Sequence, residues 1–256
     1  MQSKRPYSLT IAGFDPSGGA GALADAKTFE QLNVFGLAAC TAITLQTENE
    51  FKGVSWIPLH QIELQIETLL AKYDVAFAKI GLIQNLETLN ELLFFLERKF
   101  PSLKIIWDPI LKSSSGFNFH NHFDEGMLFN ILSKILLITP NASEANLLMQ
   151  SEDAMHAAKE LNRFCNVFLK SYKKGNEHAD VLLEKRSERV FVTREVIKNE
   201  KHGSGCVLSA AITAMLSKGA SLSDACATAK EYSFQFLNSD EGLLGMHHQI
   251  KILQHA

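Results

Sequence analysis

Short β-rich runs alternate with helical runs through the first two thirds of the chain, and this alternation limits its possible folds more than any other feature. "YSLTIAG" (7–13) reads as a strand and "GALADAKTFEQLN" (21–33) as a helix. "FGLAACTAITLQ" (35–46) is apolar enough for a strand buried on both faces. "HQIELQIETLLAKY" (60–73) spaces Ile62, Ile66, Leu69 and Leu70 as a helix does. Strands follow at 75–81, 103–109, 135–141 and 166–170, with helices at 86–100 and 153–165. A β-α-β-α rhythm predicts an α/β fold with a mostly parallel sheet covered by helices on both faces. Beyond residue 170 the rhythm changes. Runs at 179–185 and 188–196 predict an antiparallel hairpin added to the sheet, and helices are expected at 203–218 and about 221–237. With no internal repeat, low-complexity tract or long linker, residues 1–256 are expected to form a single domain.

Composition narrows the function. A net charge of −3, with 46% hydrophobic and 21% charged residues, argues against a nucleic-acid coat or a polybasic membrane surface. The apolar run near the N-terminus is broken by Asp15 and Pro16, so neither a signal peptide nor a membrane span is expected. Cys40, Cys165, Cys206 and Cys226 are scattered and form no C-x-x-C pair. A reducing, cytoplasmic setting is therefore expected, with neither a disulfide scaffold nor a zinc knuckle.

In open α/β sheets ligands bind outside the carboxyl ends of the strands, and several strands here end in polar or glycine-containing sequence. In "GSGC" (203–206), Gly203, Ser204 and Gly205 precede an apolar helix whose first N–H groups suit an anion. No Gly-Lys-Ser/Thr follows, so this is not a Walker A loop. Cys206 in the first helical turn should have a lowered pKa. From the local pattern it could be a nucleophile, a base, a metal ligand or a packed apolar residue. "AGFDPSGGAG" (12–21) places four glycines between a strand and a helix. Asp15 there is either a site carboxylate or a turn residue, and Asp25 either a site carboxylate or a solvated helix charge. Asn141 and Glu144, spaced i, i+3, could serve magnesium or simply start a helix. Lys79 and Lys170 at strand ends could face the crevice or solvent. His247, His248 and His255 read as solvated tail residues.

Taken together, these segments resemble the bacterial hydroxymethylpyrimidine/phosphomethylpyrimidine kinases of thiamine biosynthesis, in the ribokinase-like superfamily. "LTIAGFDPSGGAGALADAKTF" is similar to the family's T-I-A-G-x-D-P-S-G-G-A-G-x-x-A-D-x-K-T-F opening. "AKIGLI", "WDPILKSSSG", "LITPNASEANLL" and "HGSGCVLSAAITA" resemble its later motifs, in order, to about residue 215. The resemblance implies a three-layer α/β/α sandwich and phosphoryl transfer from Mg2+-bound ATP to 4-amino-5-hydroxymethyl-2-methylpyrimidine. A second transfer to the diphosphate occurs in many members. It also implies that Gly13, Asp25 and Gln46 contact the pyrimidine, with Leu82 and Ile110 packing on its ring. Cys206 falls where related sugar kinases carry an aspartate base, within the anion-stabilising turn of Gly203, Ser204 and Gly205. Asn141 and Lys170 match nucleotide-side positions, and Glu144 and Asp108 match positions that organise the metal. No covalent intermediate is expected for direct transfer, which disfavours a nucleophile, and the lack of partner ligands removes a metal-ligand role for the cysteine.

The departures fall on the nucleotide side. Ser171-Tyr172-Lys173 stands where the family has Gly-Gly-His, Lys201 stands near an expected threonine, and the Asn141-to-Lys170 interval is shorter than usual. Pyridoxal or pyridoxine kinase activity, or a catalytically impaired pyrimidine-binding protein, are the alternatives. A homodimer joined through sheet edges is expected, with small molecules as the other partners and neither nucleic acid nor membrane among them.

Overall fold

A computed structural model describes residues 5–112, 124–174, 177–185, 187–192 and 200–248. The elements follow in the order β1 (Tyr7–Phe14), α1 (Gly21–Gln31), β2 (Phe35–Gln46), β3 (Phe51–Trp56), α2 (Leu59–Leu70), β4 (Val75–Ile80), α3 (Leu86–Lys99), β5 (Lys104–Trp107) and α4 (Glu125–Ser133). They continue with β6 (Leu137–Ile138), α5 (Ala142–Met149), α6 (Ala154–Leu161), β7 (Asn166–Lys174), β8 (Glu177–Glu184), β9 (Ser187–Val192), α7 (Ser204–Ser217) and α8 (Leu222–Leu237). Helix starts follow local chemistry. Asn85, Asp124, Asp153 and Ser221 each accept a hydrogen bond from an N–H of the first turn of the helix that follows.

The strands form one sheet in the order β3-β2-β1-β4-β5-β6-β7-β8-β9. From β2 to β7 every neighbouring pair is parallel, while β3, β8 and β9 run antiparallel to their neighbours. Two apolar layers flank the sheet. Helices α2 to α6 cover one face, packing on Leu9, Ile11, Ala78, Ile80, Ile105 and Trp107. Helices α1, α7 and α8 cover the other, packing on Ile106, Leu137, Phe168 and Leu182. The expected α/β/α sandwich is the architecture observed. Helix α7 is buried at every position from Cys206 to Leu216, as a helix apolar on all sides must be. No described helix is long and apolar enough to cross a membrane.

Three expectations need correction. Strand β2 is not buried on both faces: Phe35, Ile43 and Leu45 are exposed, because it lies near the sheet's edge with only β3 outside it. Strand β3 has no counterpart among the expected strands, since Lys52 and Gly53 interrupt its apolar pattern. The strand expected at 135–141 shrinks to two residues, with one further bridge from Asn141 to Lys170. The C-terminal hairpin appears as β8 and β9. Residues 193–196 of its expected second strand lie outside the described residues.

The sheet's connectivity locates the crevice. The chain passes from β1 outward to β2 and β3, then returns to the other side of β1 as β4. That reversal opens a cleft at the carboxyl ends of β1 and β4, where Gly13 and Leu82 lie.

Candidate active site

Side chains alternate between the faces of a strand, so a polar residue two positions after an apolar one shares its face. On β4 the residue two after Phe77 is Lys79. On β5 the residue two after Ile106 is Asp108. On β6 Leu137 is followed by Thr139, and on β7 Phe168 by Lys170. All four polar groups therefore turn toward α1 and α7 where the strands end, and all four are buried.

They form one electrostatic network. Lys79 Nζ donates to Asp25 Oδ1 of α1 at 2.6 Å and lies 4.0 Å from Asp108 Oδ2. Thr10 Oγ1 donates to the other oxygen of Asp25 at 2.5 Å. Asp108 accepts from Lys170 Nζ at 2.8 Å, from Thr139 Oγ1 at 3.0 Å and from Ser209 Oγ of α7 at 3.0 Å. Burial opposes every one of these charges, but pairing overcomes it at Asp108, whose carboxyl is held below its usual range by Lys170 and Lys79. Burial likewise opposes the Lys79 and Lys170 ammonium groups, and the neighbouring carboxylates hold both above the ordinary lysine value. Neither lysine is a solvated strand end.

Asp25 is not a solvated helix charge; it has no exposed surface. Both its oxygens are engaged, so a pyrimidine would have to share one with Thr10 or Lys79. Gly13 and Leu82 meet directly, a Cβ on Gly13 falling 3.0 Å from Leu82 Cδ2. Ile110 is half-buried beside Gly81, and Gln46 is half-buried at the last residue of β2.

Gly203 and Gly205 play different parts in the turn before α7. Gly203 caps α7 in the left-handed region, with φ 73°, and a Cβ there would fall 2.0 Å from Gly19 O. Only glycine permits both. Gly205, by contrast, already belongs to the helix, as does Ser204. The first intrahelical bond runs from Val207 N–H to Gly203 C=O. Of the preceding N–H groups, that of Ser204 donates to the Lys201 carbonyl at 3.3 Å, and those of Gly205 and Cys206 lie at the positive end of the dipole. Lys170 Nζ lies beside them, 3.3 Å from where a Cβ on Gly205 would sit.

Cys206 departs from expectation. Its thiol is not lowered by the helix; burial pushes it up to about 11, with Asp108 and Asp25 adding to the effect and Lys79 and the Gly21 N–H opposing it. Being almost fully buried beside two carboxylates outweighs the dipole. All four cysteines are free, and the described residues contain no His/Cys/Asp/Glu group able to hold a metal ion by itself.

Asn141 and Glu144 start a helix. Asn141 Oδ1 accepts from Glu144 N–H and Glu144 Oε2 accepts from Asn141 N–H, both at 2.8 Å, a complete capping box. Burial raises the Glu144 carboxyl to about 7, Asp108 adding to this and Lys170 opposing it.

Asp15 acts as the turn residue that was one of its two readings, accepting from Ser17 N–H, Ser17 Oγ and Ala20 N–H, while its pairing with His202 Nε2 at 2.9 Å was not anticipated. Lys201 turns away from the nucleotide side. Its buried ammonium donates to the carbonyls of Asp240 and Gly242, tying down the segment after α8. His247 is not a solvated tail residue either: it meets the Tyr232 hydroxyl at 3.0 Å and packs on Phe236, and burial lowers its pKa to about 4. His248 is exposed and His255 lies outside the described residues. Ser171, replacing an expected glycine, adopts a positive φ of 54°, its N–H donating to Asp180 at 2.8 Å.

The sequence and the fold both resemble known proteins. Residues 15–250 match the family model described as phosphomethylpyrimidine kinase. A hydroxymethylpyrimidine/phosphomethylpyrimidine kinase of Aquifex aeolicus is 30% identical over 92% of this chain and 96% of its own. Among solved structures, the ADP complex of Bacillus subtilis pyridoxal kinase has a TM-score of 0.81 at 27% identity, covering 96% of this chain and 98% of its own. A phosphomethylpyrimidine kinase from Clostridium difficile has a TM-score of 0.77 at 28% identity, covering 90% and 99%.

Proposed function

This chain belongs to the phosphomethylpyrimidine kinase family, and from that premise we propose that its crevice phosphorylates the hydroxymethyl group of 4-amino-5-hydroxymethyl-2-methylpyrimidine with ATP. The resulting phosphate would then be the acceptor for a second transfer, to the diphosphate of thiamine biosynthesis. One observation carries the assignment: a helix start without a side-chain cap, a buried lysine and a thiol come together at the carboxyl ends of the strands. Phosphoryl transfer is catalysed mainly by positioning and by stabilising charge on the moving group. The N-terminus of α7, through Gly203, Ser204 and Gly205, and the Lys170 ammonium supply that stabilisation.

Gly13, Leu82 and Ile110 would seat a flat ring, with Gln46 and Asp25 as its polar partners. Cys206 lines the acceptor end. Burial pushes its thiol up to about 11, so it rests protonated at neutral pH; charge stabilisation by the turn is the larger contribution and proton acceptance the smaller. Asn141 borders the nucleotide side. Magnesium fits this donor set only loosely. Both oxygens of Asp108 are occupied by Lys170, Thr139 and Ser209, and one oxygen of Glu144 by the Asn141 N–H. The second Glu144 oxygen and intervening water would hold an ion bound chiefly by the phosphates, as Mg2+ usually is. Its chemistry there would be to neutralise phosphate charge. The cytoplasm is the setting proposed for this reaction. Exposed Phe14, Ile43 and Leu45 beside the β2–β3 edge support a homodimer.

Similarity to a pyridoxal kinase structure favours one competing reading, in which pyridoxal or pyridoxine is the acceptor. Product analysis with Mg-ATP and either acceptor separates the two, and it distinguishes monophosphate from diphosphate. Hydroxymethylpyrimidine turning over at least about tenfold faster than pyridoxal at equal concentration is the expected result. A preference for pyridoxal, or no turnover of either, would overturn it. In the same assay Cys206→Ala should lose about 10^2-fold in kcat. Full turnover in that variant would refute proton acceptance while leaving the role of the turn intact.

A further inference from the structure

The loop after β1 and the turn before α7 are tied together twice. The first tie is Asp15 to His202, 2.9 Å between side chains 187 residues apart in the chain, both buried. Asp15 is held below its ordinary range: burial opposes its charge, and the hydrogen bonds from His202 and Ser17 outweigh it. A carboxylate only accepts, so His202 Nε2 carries the proton and donates. The second is a contact of the Gly21 N–H, in the first turn of α1, with the Cys206 thiol, where it favours the ionised sulfur.

These ties share one scaffold. Asp15 Oδ2 accepts from His202 and also from the N–H of Ala20, the N-cap residue of α1, at 2.9 Å. Gly21 follows directly. Its φ of 60° lets it sit against Gly13, where a Cβ would fall 2.2 Å from the Gly13 carbonyl. On the other side His202 precedes Gly203, whose Cα faces the Gly19 carbonyl, and its ring fills the space beside Gly19. The Asp15 carboxylate thus fixes the start of α1 and the start of α7 at once, and with them the distance from the Gly13 seat to the Cys206 thiol.

We propose that Asp15 and His202 are a positioning pair for the transfer step, holding the acceptor pocket in register with Cys206 and the anion turn. The pair touches neither reacting atom. This inference rests on the kinase reading above, and its test keeps the two separable.

The full-length protein is assayed as wild type, His202→Leu and His202→Gln, the last chosen because a Gln amide can still donate toward Asp15. Kinetics with hydroxymethylpyrimidine and saturating Mg-ATP are paired with site-resolved iodoacetamide labelling, read by peptide mass spectrometry. His202→Leu should lower kcat about tenfold or more with the pyrimidine KM changed less than about threefold. It should speed Cys206 labelling at least about fivefold, with buried Cys226 as the internal control for general loosening. His202→Gln should recover most of both. Wild-type kcat and labelling in His202→Leu, equal acceleration at Cys206 and Cys226, or His202→Gln behaving as His202→Leu would each overturn the proposal. Should His202→Leu not fold, His202→Ala makes the same cut with a smaller side chain and is held to the same outcomes. If wild-type protein does not phosphorylate the pyrimidine, the functional reading fails, and the labelling comparison still judges the pair.

Discussion

Glu144 closes the capping box of α5 and faces Lys170, and the two surroundings act on its proton in opposite directions. Burial prevails and its carboxyl titrates near 7, against 4.5 for the free side chain. Between those values the folded state holds a proton that the unfolded state has released. This group's contribution to stability therefore declines as pH rises from about 4.5 to 7 and is constant above. Glu144→Gln keeps the acceptor for the Asn141 N–H and has no charge to bury. Thermal melts should show the variant gaining on wild type from pH 5 to pH 8, and a gap independent of pH would refute the shift. Cys206 teaches the same lesson. A helix N-terminus lowers a thiol's pKa by a modest amount, and burial beside two carboxylates reverses it.

At the scale of elements, the start of α7 depends on two glycines in different ways. Gly203 occupies a left-handed conformation, for which a side chain costs about 1–2 kcal/mol, and a Cβ would strike a backbone oxygen that cannot move without its loop. Gly203→Ala should therefore lose about 2 kcal/mol or more in chemical denaturation. Gly205 lies within the helix, and the atom that a Cβ would approach is the flexible end of Lys170. Gly205→Ala should lose less stability than Gly203→Ala, since alanine favours the helix by up to about 1 kcal/mol and the lysine end can yield, yet should lose kcat because Lys170 is shifted from the start of α7. Equal losses of stability in the two variants would contradict the geometry. The strands obey a simpler rule. Polar residues at 79, 108, 139 and 170 follow apolar ones by two, and that period is readable before any coordinates are known. Strand β3 is short and interrupted by Lys52 and Gly53, and it gains definition only by pairing with β2.

Across the whole molecule, the Asp25–Lys79 pair joins α1 to the middle of the sheet with neither side chain exposed. Removing one partner of a buried pair costs about 3–5 kcal/mol because the other charge is left uncompensated. Lys79→Met should fall in that range by urea denaturation. Lys79→Met with Asp25→Asn should recover a substantial part of the loss, and a double variant no more stable than the single would show that the pair is not what holds these elements together. Lys201 acts at the same scale. It stands where a nucleotide-side residue was expected and instead fastens the segment after α8, whose Leu243 carbonyl accepts from His202 N–H and whose Leu244 rests on Gly19. The far end of the chain thus supports both glycine loops.

The sequence by itself determined the alternation of elements, the glycines at the crevice, and the polar residues that end the parallel strands. Each of these follows from local rules: helical and strand periods, capping, and the conformations open to a residue without a side chain. Only the tertiary structure decided that Cys206 rests as a thiol, that Asp25 is covered by Lys79 and Thr10, and that Asp15 meets His202. Those outcomes depend on burial and on charges brought together from distant positions, such as Asp108 with Ser209 across 101 residues. Local pattern carries neither the desolvation nor the partner that sets them.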